Sequence, residues 1–293
     1  MKKVIIAGGT GFIGSYLKTR FFENGYDVFL VSRLPDHVRW EVDELSHALE
    51  GAELVVNLAG KSINCRHTPK NREAILQSRI DSTTKIGNAI QNCKNPPKLW
   101  INASATGIYQ SSEIKPMTEY ETELGNDFLA EVVTKWEKSF FDFQLSSMRQ
   151  IALRTSVVLG KNGGALSQLV RLTRFGLGGK QASGKQMFSW IHLEDYFRIL
   201  VFALQNKNLE GILNCTSPQP LSNTDFMRIL REILHMPIGI PAPKLVIQFA
   251  AIIIGTEPEL ILNSSFVTPK RLTEAGFSFR FPSLNSALID ILN

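Results

Sequence analysis

The sequence predicts an α/β protein with a Rossmann-type, doubly wound parallel sheet and a smaller C-terminal α/β lobe. Two observations carry this prediction. Short apolar runs alternate with segments of helical periodicity through the first half of the chain, and a glycine-rich loop follows the first apolar run. Strands that are apolar on both faces are typical of a parallel sheet covered by helices on each side.

The predicted elements alternate in order along the chain. Strands are predicted at residues 4–7, 28–31, 54–58, 99–103, 151–154 and 212–214. A helix follows the first strand, because Ile13, Leu17 and Phe21 recur at a helical spacing before Asn24-Gly25 can end it. A short helix carries Leu45 and Leu49, and longer helices are predicted over about 70–92 and 127–144.

The chain changes character after Gly160. Glycine pairs mark loops, Trp190-Ile191-His192 begins another element, and prolines become frequent from Ser217 onward. We expect residues 1–160, continued by about 186–216, to form a nucleotide-binding Rossmann domain. Residues 217–293, with the loop 161–185, would form a substrate lobe, so that the cleft lies between them at the strand C-termini.

Composition excludes several classes of protein. A mean hydropathy of -0.01 with 20% charged residues argues against a disordered, fibrous or polytopic membrane protein. The net charge of +5 is scattered, which disfavours nucleic-acid binding but would suit an anionic small molecule. The first apolar run is too short for a signal peptide, and residues 245–255 are about half a bilayer span. We therefore predict a cytoplasmic protein with no membrane partner.

The chain offers little for disulfide or metal chemistry. Its 3 cysteines lie far apart and include no C-x-x-C pair. No His, Cys or carboxylate cluster has the spacing of metal ligands, so no metal site is predicted.

The glycine-rich loop predicts a dinucleotide site. It runs Gly8-Gly9-Thr10-Gly11-Phe12-Ile13-Gly14 between the first strand and the first helix. Gly8 permits a tight turn, Gly11 lets the backbone approach a pyrophosphate, and Gly14 allows close packing of helix on sheet. The phosphates would meet the free N–H groups of the helix N-terminus.

The end of the second strand indicates which dinucleotide binds. Sites that prefer NAD place an acidic residue there, whereas this strand ends Val31-Ser32-Arg33. Ser32 can donate to a phosphate, and Arg33 can pair with it through its planar guanidinium. NADP(H) is therefore the predicted cofactor; alternatively, Arg33 is an ordinary solvated arginine.

With these features, and with Asn57-Leu58-Ala59-Gly60 at the end of a strand, the chain resembles the extended short-chain dehydrogenase/reductases. Later motifs resemble one atypical branch, the "epimerase family protein" group, which carries a C-terminal domain of unknown function. Those motifs are Ser78-Arg79, Trp136-Glu137, residues 154–160, Gly176-Leu177-Gly178-Gly179, Ser189-Trp190-Ile191-His192, Pro269-Lys270-Arg271-Leu272 and Gly276-Phe277. The resemblance covers Val4 to about Leu288.

The resemblance adds residues to the cofactor site. It implies contacts from Leu58, Ala59, Gly60, Arg79 and the backbone near Val158. Arg79 resembles the family's replacement for a helix asparagine, although it could instead pair with a neighbouring helix. The chain departs from the family at His67, where a tryptophan is usual, and at Ala74, where some relatives have an acid. These departures concern the local substrate or nicotinamide pocket.

The acid–base pair of ordinary members is missing. Those members use Tyr-x-x-x-Lys, in which the lysine lowers the tyrosine pKa for proton exchange. The corresponding positions here are Leu129 and Val133, and neither side chain can carry a proton. Lys135 and Lys138 lie nearby in sequence but at a different helical phase, so we expect them to point elsewhere.

Two residues are candidates for the missing chemistry. Ser104 matches the serine that polarises a substrate carbonyl in the wider superfamily, although it could instead cap a local turn. Tyr109 could donate a proton, although packing is the commoner use of such a tyrosine. His192 more often has a structural role, here at the start of a predicted helix with Asp195 or Glu194 near the cap.

Two functions remain open at this point. One is an NADPH-dependent oxidoreductase, or less favourably an epimerase, acting on a small carbonyl or sugar-like substrate through a displaced acid–base group. The other is a non-catalytic NADP(H)-binding redox sensor or scaffold, which Leu129 and Val133 favour. Relatives often pair through the two long helices, so both a monomer and a homodimer are compatible with the sequence.

Overall fold

A six-stranded parallel sheet organises the protein in a computed structural model that describes residues 2–145, 148–161 and 163–293. Its strand order is β2-β1-β3-β4-β5-β9. The strands are β1 (Lys2–Ala7), β2 (Tyr26–Val31), β3 (Leu54–Asn57), β4 (Leu99–Ala105), β5 (Arg149–Thr155), β6 (Val157–Leu159), β7 (Met187–Phe188), β8 (Trp190–His192), β9 (Gly211–Cys215) and β10 (Leu221–Ser222). The chain reverses direction along the sheet at β1, so a crevice opens between β1 and β3 at their C-terminal ends.

Helices cover both faces of this sheet, as the apolar strands predict. They are α1 (Phe12–Glu23), α2 (Val42–Leu49), α3 (Pro69–Gln91), α4 (Phe128–Phe141), α5 (Gly164–Arg174), α6 (Leu193–Gln205), α7 (Asn223–Ile233), α8 (Lys244–Ile254), α9 (Glu259–Leu262), α10 (Lys270–Glu274) and α11 (Leu284–Leu292). One apolar core lies under α1 and α6, and a second lies under α2, α3 and α4. None of the helices in the described ranges is both long and apolar enough to cross a membrane.

Most predicted elements are found within a few residues of their predicted bounds. The helix predicted from 127 starts where Asp127 caps it, its carboxylate accepting from the Ala130 N–H at 2.9 Å. It ends at Phe141 rather than at 144. The predicted strand at 151–154 is longer, spanning Arg149–Thr155.

A short parallel ribbon of β6 and β8 separates the sheet domain from the C-terminal lobe. Val158 and Ile191 are paired in register and belong to the core under α1 and α6. Leu159 and Trp190 point the other way, into the lobe core formed with α5, α7 and α11. This alternation follows from the two-residue period of a strand, and it makes the ribbon a wall shared by both cores.

The chain returns from the lobe to the sheet domain near its C-terminus. Leu272 of α10 and Phe277 pack in the core beneath α6, and Arg271 donates to the Ile212 carbonyl of β9 at 2.6 Å. The chain then enters the lobe again, where α11 packs. The boundary predicted at residue 217 stays a prediction, but the segment around residues 270–279 contacts the sheet domain.

Candidate functional site

Two adjoining cavities lie over the C-terminal ends of the strands. The first, which we call the loop cavity, has a volume of about 810 Å³ and is lined by the glycine loop and by the ends of β2 and β3. The second, the strand-end cavity, has a volume of about 460 Å³ and is lined by the ends of β4 and β5, by α4 and by the C-terminal lobe. Leu58 borders both, so the two form one cleft at the position predicted from the strand order.

The glycine loop has the geometry that a dinucleotide site needs. Gly8 has a φ of 76°, and a Cβ there would meet the Ala59 nitrogen at 2.9 Å. A Cβ on Gly14 would lie 2.6 Å from the Gly8 oxygen, so this glycine lets the helix pack on the loop. Gly11 is exposed, and a Cβ added there would meet, among the described residues beyond its chain neighbours, only the Gly8 oxygen, at 3.5 Å. The free space over Gly11 and the start of α1 could admit a phosphate.

Ser32 and Arg33 line the loop cavity beside Thr10 and Gly11. Ser32 is buried, and its hydroxyl accepts from the Leu34 N–H at 3.0 Å and lies 2.8 Å from Nδ1 of His37. Arg33 is exposed. This end of the cavity therefore presents a fixed hydroxyl and an exposed guanidinium, a donor set suited to a phosphate monoester.

A buried amide pair supports the turn that follows β3. Asn57 donates to the Asn102 side-chain oxygen at 2.7 Å and accepts from the Ala59 N–H at 3.1 Å. This fixes Leu58, Ala59 and Gly60 along the wall of the loop cavity, where the family resemblance places cofactor contacts.

Arg79 lies on α3 at the edge of the strand-end cavity. Its Nη1 donates to the carbonyls of Ile75 and Lys61, at 2.8 and 3.0 Å, and its guanidinium lies 5.1 Å from the centre of the Trp136 ring. Burial lowers the pKa of Arg79 to about 10. Within the described ranges, Arg79 makes no ion pair with a carboxylate. An ion pair with a neighbouring helix, the alternative left open by the sequence, is therefore not what holds it. A partly buried, uncompensated cation favours an anionic ligand.

The positions of the missing Tyr-x-x-x-Lys pair face the strand-end cavity. Leu129 and Val133 both line it, so an apolar surface stands where ordinary members carry the acid–base pair. Lys135 is paired with Glu131, and Lys138 is paired with Asp142, each on the exposed side of α4. The prediction that these lysines point away from the site is confirmed.

Ser104 lines the same cavity and is tied to a buried carboxylate. Its hydroxyl donates to Oε1 of Glu137 at 2.5 Å, and Glu137 forms a buried ion pair with Arg154, Nη2 to Oε2 at 2.7 Å. The hydroxyl must be the donor here, because a carboxylate held by a guanidinium only accepts. Ser104 therefore does more than cap a turn: it joins the cavity to a buried charged pair.

Tyr109 completes the network. Its hydroxyl accepts from Nη1 of Arg154 at 2.9 Å and donates to Oδ1 of Asn214 at 2.8 Å. Ser104, Arg154 and Asn214 stand level on β4, β5 and β9, since they are paired in register across the sheet. Burial raises the pKa of Tyr109, although Arg154 and Asn214 oppose that shift. A tyrosine with a raised pKa is a weaker proton donor than the tyrosine of an ordinary member.

The C-terminal lobe closes the strand-end cavity with residues that sequence reasoning missed. Ser265 lines the cavity, and its hydroxyl oxygen is buried without a hydrogen-bond partner among the described residues. Ser264 beside it is anchored, donating to the Ser112 carbonyl and accepting from the Met187 N–H at 2.8 Å. Neither serine belongs to a motif with a known spacing, so the sequence carries no signal for them.

Some predicted site residues lie apart from the cavities. The Phe12 ring is covered by the glycines at 160, 163 and 164, Gly14 is enclosed by the loop, and Val158 is in the core. Ile13 does line the strand-end cavity. Trp40 and Lys85 line the loop cavity and were not predicted, because a long loop and a helix bring them there.

His192 is itself the N-cap of α6, and Glu194 and Asp195 lie in the first turn, near the cap as expected. Its Nδ1 accepts from the Glu194 N–H at 3.0 Å. Asp195 is fully buried and accepts from the N–H groups of Arg280 and Phe281, both at 2.8 Å. Those long-range partners lie 85 and 86 residues further along the chain, so local sequence could not reveal them.

Comparison with known proteins decides the family. A model of the NAD dependent epimerase/dehydratase family matches residues 4–215, and a model of a domain of unknown function, DUF1731, matches residues 242–291. The chain belongs to the NAD-dependent epimerase/dehydratase family. The mouse epimerase family protein SDR39U1 is 35% identical over 99% of both chains. An epimerase family protein of Staphylococcus epidermidis is 31% identical over 100% of this chain and 99% of its own.

Solved structures of the family support the fold and the atypical branch. The human epimerase family protein SDR39U1, crystallised with NADPH, is 34% identical, with a TM-score of 0.91 over 99% of this chain and 98% of its own. A nucleoside-diphosphate sugar epimerase from Corynebacterium glutamicum is 28% identical, with a TM-score of 0.80 over 99% of this chain but 58% of its own. The resemblance drawn from the sequence motifs and the predicted fold class are thereby confirmed.

Proposed function

We propose that this member of the epimerase/dehydratase family binds NADP(H) and acts as an oxidoreductase on a small carbonyl or sugar-like substrate. The strand-end cavity carries the proposal. It adjoins the loop cavity, and it places a hydroxyl hydrogen-bonded to a buried carboxylate, Ser104 and Glu137, beside an apolar wall.

The loop cavity fits NADP(H) in particular. Gly11 leaves room at the start of α1 for the pyrophosphate, and Ser32 with Arg33 would hold the ribose 2′-phosphate. The human relative that was crystallised with NADPH supports this assignment. Leu58, Ala59 and Gly60 would border the middle of the cofactor, and Arg79 would face an anionic group beside them.

When bound, NADP(H) would exchange a hydride with the substrate carbon. The substrate oxygen then needs a proton in the reductive direction and must lose one in the oxidative direction. In oxidation, Ser104 would accept the substrate proton while its own proton passes to Glu137, 2.5 Å away. In reduction, solvent in the cleft would supply the proton that Ser104 passes to the substrate oxygen, because Glu137, ion-paired with Arg154, holds none to give.

Tyr109 would hold this network rather than supply the proton. Its proton points to Asn214, and its oxygen is occupied by Arg154. Those contacts keep Arg154 oriented toward Glu137. We therefore place Ser104 at the reacting oxygen, with Tyr109 supporting it indirectly through Arg154 and Glu137.

A second candidate function is a non-catalytic NADP(H) sensor or scaffold. It is favoured by the apolar side chains of Leu129 and Val133, which occupy the usual acid–base positions in the cavity. It predicts tight NADPH binding without turnover.

A panel of small aldehydes, ketones and nucleotide-linked sugars, assayed by loss of NADPH absorbance, separates the two functions. We expect turnover with at least one of them, and Ser104→Ala should lower kcat by about 100-fold or more, as loss of an acid–base group does. Tyr109→Phe should lower kcat by a smaller factor. Thr134→Val is the matched control, since among the described residues this exposed threonine on α4 bonds through its hydroxyl only to the Ala130 carbonyl.

The NADPH affinity of each variant should stay within about twofold of the parent, because neither hydroxyl lines the loop cavity. Tight NADPH binding with no turnover on the whole panel would favour the sensor. Turnover that Ser104→Ala leaves intact would remove Ser104 from the reaction.

A further inference from the structure

His37 is hydrogen-bonded to the hydroxyl of Ser32, which is predicted to bind a phosphate. Its Nδ1 lies 2.8 Å from Oγ of Ser32, and the loop that carries it is fixed by two backbone hydrogen bonds, Ser32 N–H to the Val38 carbonyl at 3.2 Å and Val38 N–H to the Leu30 carbonyl at 3.0 Å. Neither the glycine-loop motif nor the family resemblance assigns this histidine a role.

The hydroxyl of Ser32 has one proton and can therefore donate one hydrogen bond. It already accepts from the Leu34 N–H at 3.0 Å. If Ser32 donates to an unprotonated Nδ1 of His37, it has no proton left for a ligand in the loop cavity. If Nδ1 carries a hydrogen, Ser32 accepts it and turns its own proton outward. The state of His37 therefore decides whether Ser32 acts as a donor to the cavity.

We propose that His37 is a positioning residue for the 2′-phosphate of NADP(H), making Ser32 a phosphate donor when Nδ1 is protonated and thereby raising selectivity for NADPH over NADH. This rests on the proposed NADP(H) function. A phosphate monoester is close to a dianion at neutral pH, so it favours the imidazolium form of a histidine that reaches it through one hydroxyl.

Other charged groups lie near Ser32 and His37 in the sequence or line the loop cavity. The charged side chains that line the loop cavity are Arg33 on the loop, Lys61 after β3, and Asp81 and Lys85 on α3. Asp36 and Arg39 lie close to His37 in the chain, and Glu41, Asp43 and Glu44 follow at the start of α2. A bound phosphate would add negative charge to this set.

The test is the ratio of NADH to NADPH dissociation constants, measured by fluorescence titration between about pH 6 and pH 8.5. His37→Phe removes the ring nitrogen, and His37→Asn replaces it with an amide that can always donate to Ser32. We expect His37→Phe to lower the ratio of the NADH to the NADPH dissociation constant by about tenfold near pH 6.5, because one charge-assisted hydrogen bond is lost. His37→Asn should keep most of the selectivity.

The pH profile distinguishes positioning from simple packing. Titration of the 2′-phosphate itself is common to all variants, so the comparison at each pH is between parent and variant. The parent's advantage over His37→Phe should shrink as pH rises above the histidine range, whereas the ratio of His37→Asn to His37→Phe should stay constant. His47→Asn, on the exposed face of α2, is the matched control and should follow the parent.

The possible results distinguish the proposed role of His37 from the proposed binding of NADP(H), on which it rests. A parent protein that binds NADH as tightly as NADPH at every pH would overturn both. NADPH selectivity that is retained in His37→Phe with the parent's pH profile would overturn only the role of His37. NADH affinity serves as the check of folding, and if His37→Phe does not fold, a parent-like pH profile in His37→Asn is the overturning result.

Discussion

Arg154 and Glu137 form a two-pronged ion pair inside the protein, with Nε 2.8 Å from Oε1 and Nη2 2.7 Å from Oε2. Their side chains are only 4% and 10% exposed. The pair links β5 to α4, and both Ser104 and Tyr109 are hydrogen-bonded to it. It therefore fixes the floor of the strand-end cavity as well as the contact between helix and sheet.

Arg154→Met should destabilise the protein by about 3–5 kcal/mol, because it leaves the Glu137 carboxylate buried without its partner. Urea denaturation measures this loss. The double variant Arg154→Met with Glu137→Leu should recover part of it, since both charges are gone. Lys138→Met is the control, as it breaks an exposed pair on the same helix and should cost about 0.5 kcal/mol or less. A loss as small for Arg154→Met as for the control would contradict the buried pair.

Gly11→Ala and Gly14→Ala should separate binding from folding. Among the described residues, chain neighbours aside, a Cβ at Gly11 would come no closer than 3.5 Å to another atom, so the melting temperature should hardly change while NADPH affinity falls about tenfold or more. A Cβ at Gly14 would lie 2.6 Å from backbone atoms of Gly8 and Gly9, so that variant should lose about 1–3 kcal/mol of stability. Thermal melts with and without NADPH give both quantities. Parent-like NADPH affinity in Gly11→Ala would place the phosphates elsewhere.

Arg33→Ala should remove the preference for NADPH. The parent should bind NADPH at least about tenfold tighter than NADH, because a hydrogen bond to a charged group contributes about 1.5–3 kcal/mol. Calorimetric titration of both dinucleotides measures the difference. Arg39→Ala, an exposed arginine on the same loop, is the control and should keep it. Equal affinities of the parent for the two dinucleotides would make the NADP(H) assignment wrong.

His192 should make the stability depend on pH. Burial lowers its pKa in the folded protein, although Asp290, Asp195 and Glu194 oppose that shift. A histidine with a lowered folded-state pKa takes up its proton first in the unfolded chain, so its contribution is complete above about pH 6.5 and is lost as the pH falls through that value. His192→Asn keeps a side-chain oxygen for the helix cap and should remove this loss. Chemical denaturation of both proteins from about pH 8 to about pH 5 measures it, and parallel curves would count against the buried neutral histidine.

Ser265→Ala should affect turnover without affecting stability. The hydroxyl has no hydrogen-bond partner among the residues that the structure describes, so its removal breaks no bond within the protein. If the substrate uses it, kcat/KM should fall about tenfold or more while the free energy of unfolding changes by less than about 0.5 kcal/mol. Ser264→Ala is the contrasting variant, because it breaks two hydrogen bonds and should cost about 1–3 kcal/mol. Unchanged kcat/KM in Ser265→Ala would exclude a contact with the substrate.

Local patterns predicted the scaffold and half of the site. The glycine loop, the strand ends at Ser32 and Leu58, and the apolar substitutions at Leu129 and Val133 are all visible in short windows of sequence. Periodicity in such windows reports which residues share a face, and the chain order of strands and helices then gives the layered fold. The cleft follows, because the C-terminal ends of parallel strands lie at one edge.

The other half of the site depends on contacts between distant parts of the chain. Tyr109 reaches Asn214 across a separation of 105 residues, and Ser104 reaches Glu137 across 33. Both contacts depend on how distant elements pack together. Glu137 comes from α4, which packs on the sheet, and Tyr109 follows β4 and reaches β9 across the intervening β5. Ser265 is missed for a similar reason, since only the path of the lobe brings it to the cavity.

The ribbon of β6 and β8 has a mechanical consequence. A single connection between two domains can act as a hinge, but here the chain passes several times between the sheet domain and the lobe. In addition, the neighbouring side chains of Trp190 and Ile191 pack in opposite cores, Trp190 in the lobe and Ile191 in the sheet domain. A swing of the lobe would have to pull one of these side chains from its core. The turn after Gly255 is also hydrogen-bonded to residues 64–67, which adds a further tie between the lobe and the sheet domain. The breadth of the strand-end cavity is set when the protein folds, and the shape of an acceptable substrate is set with it.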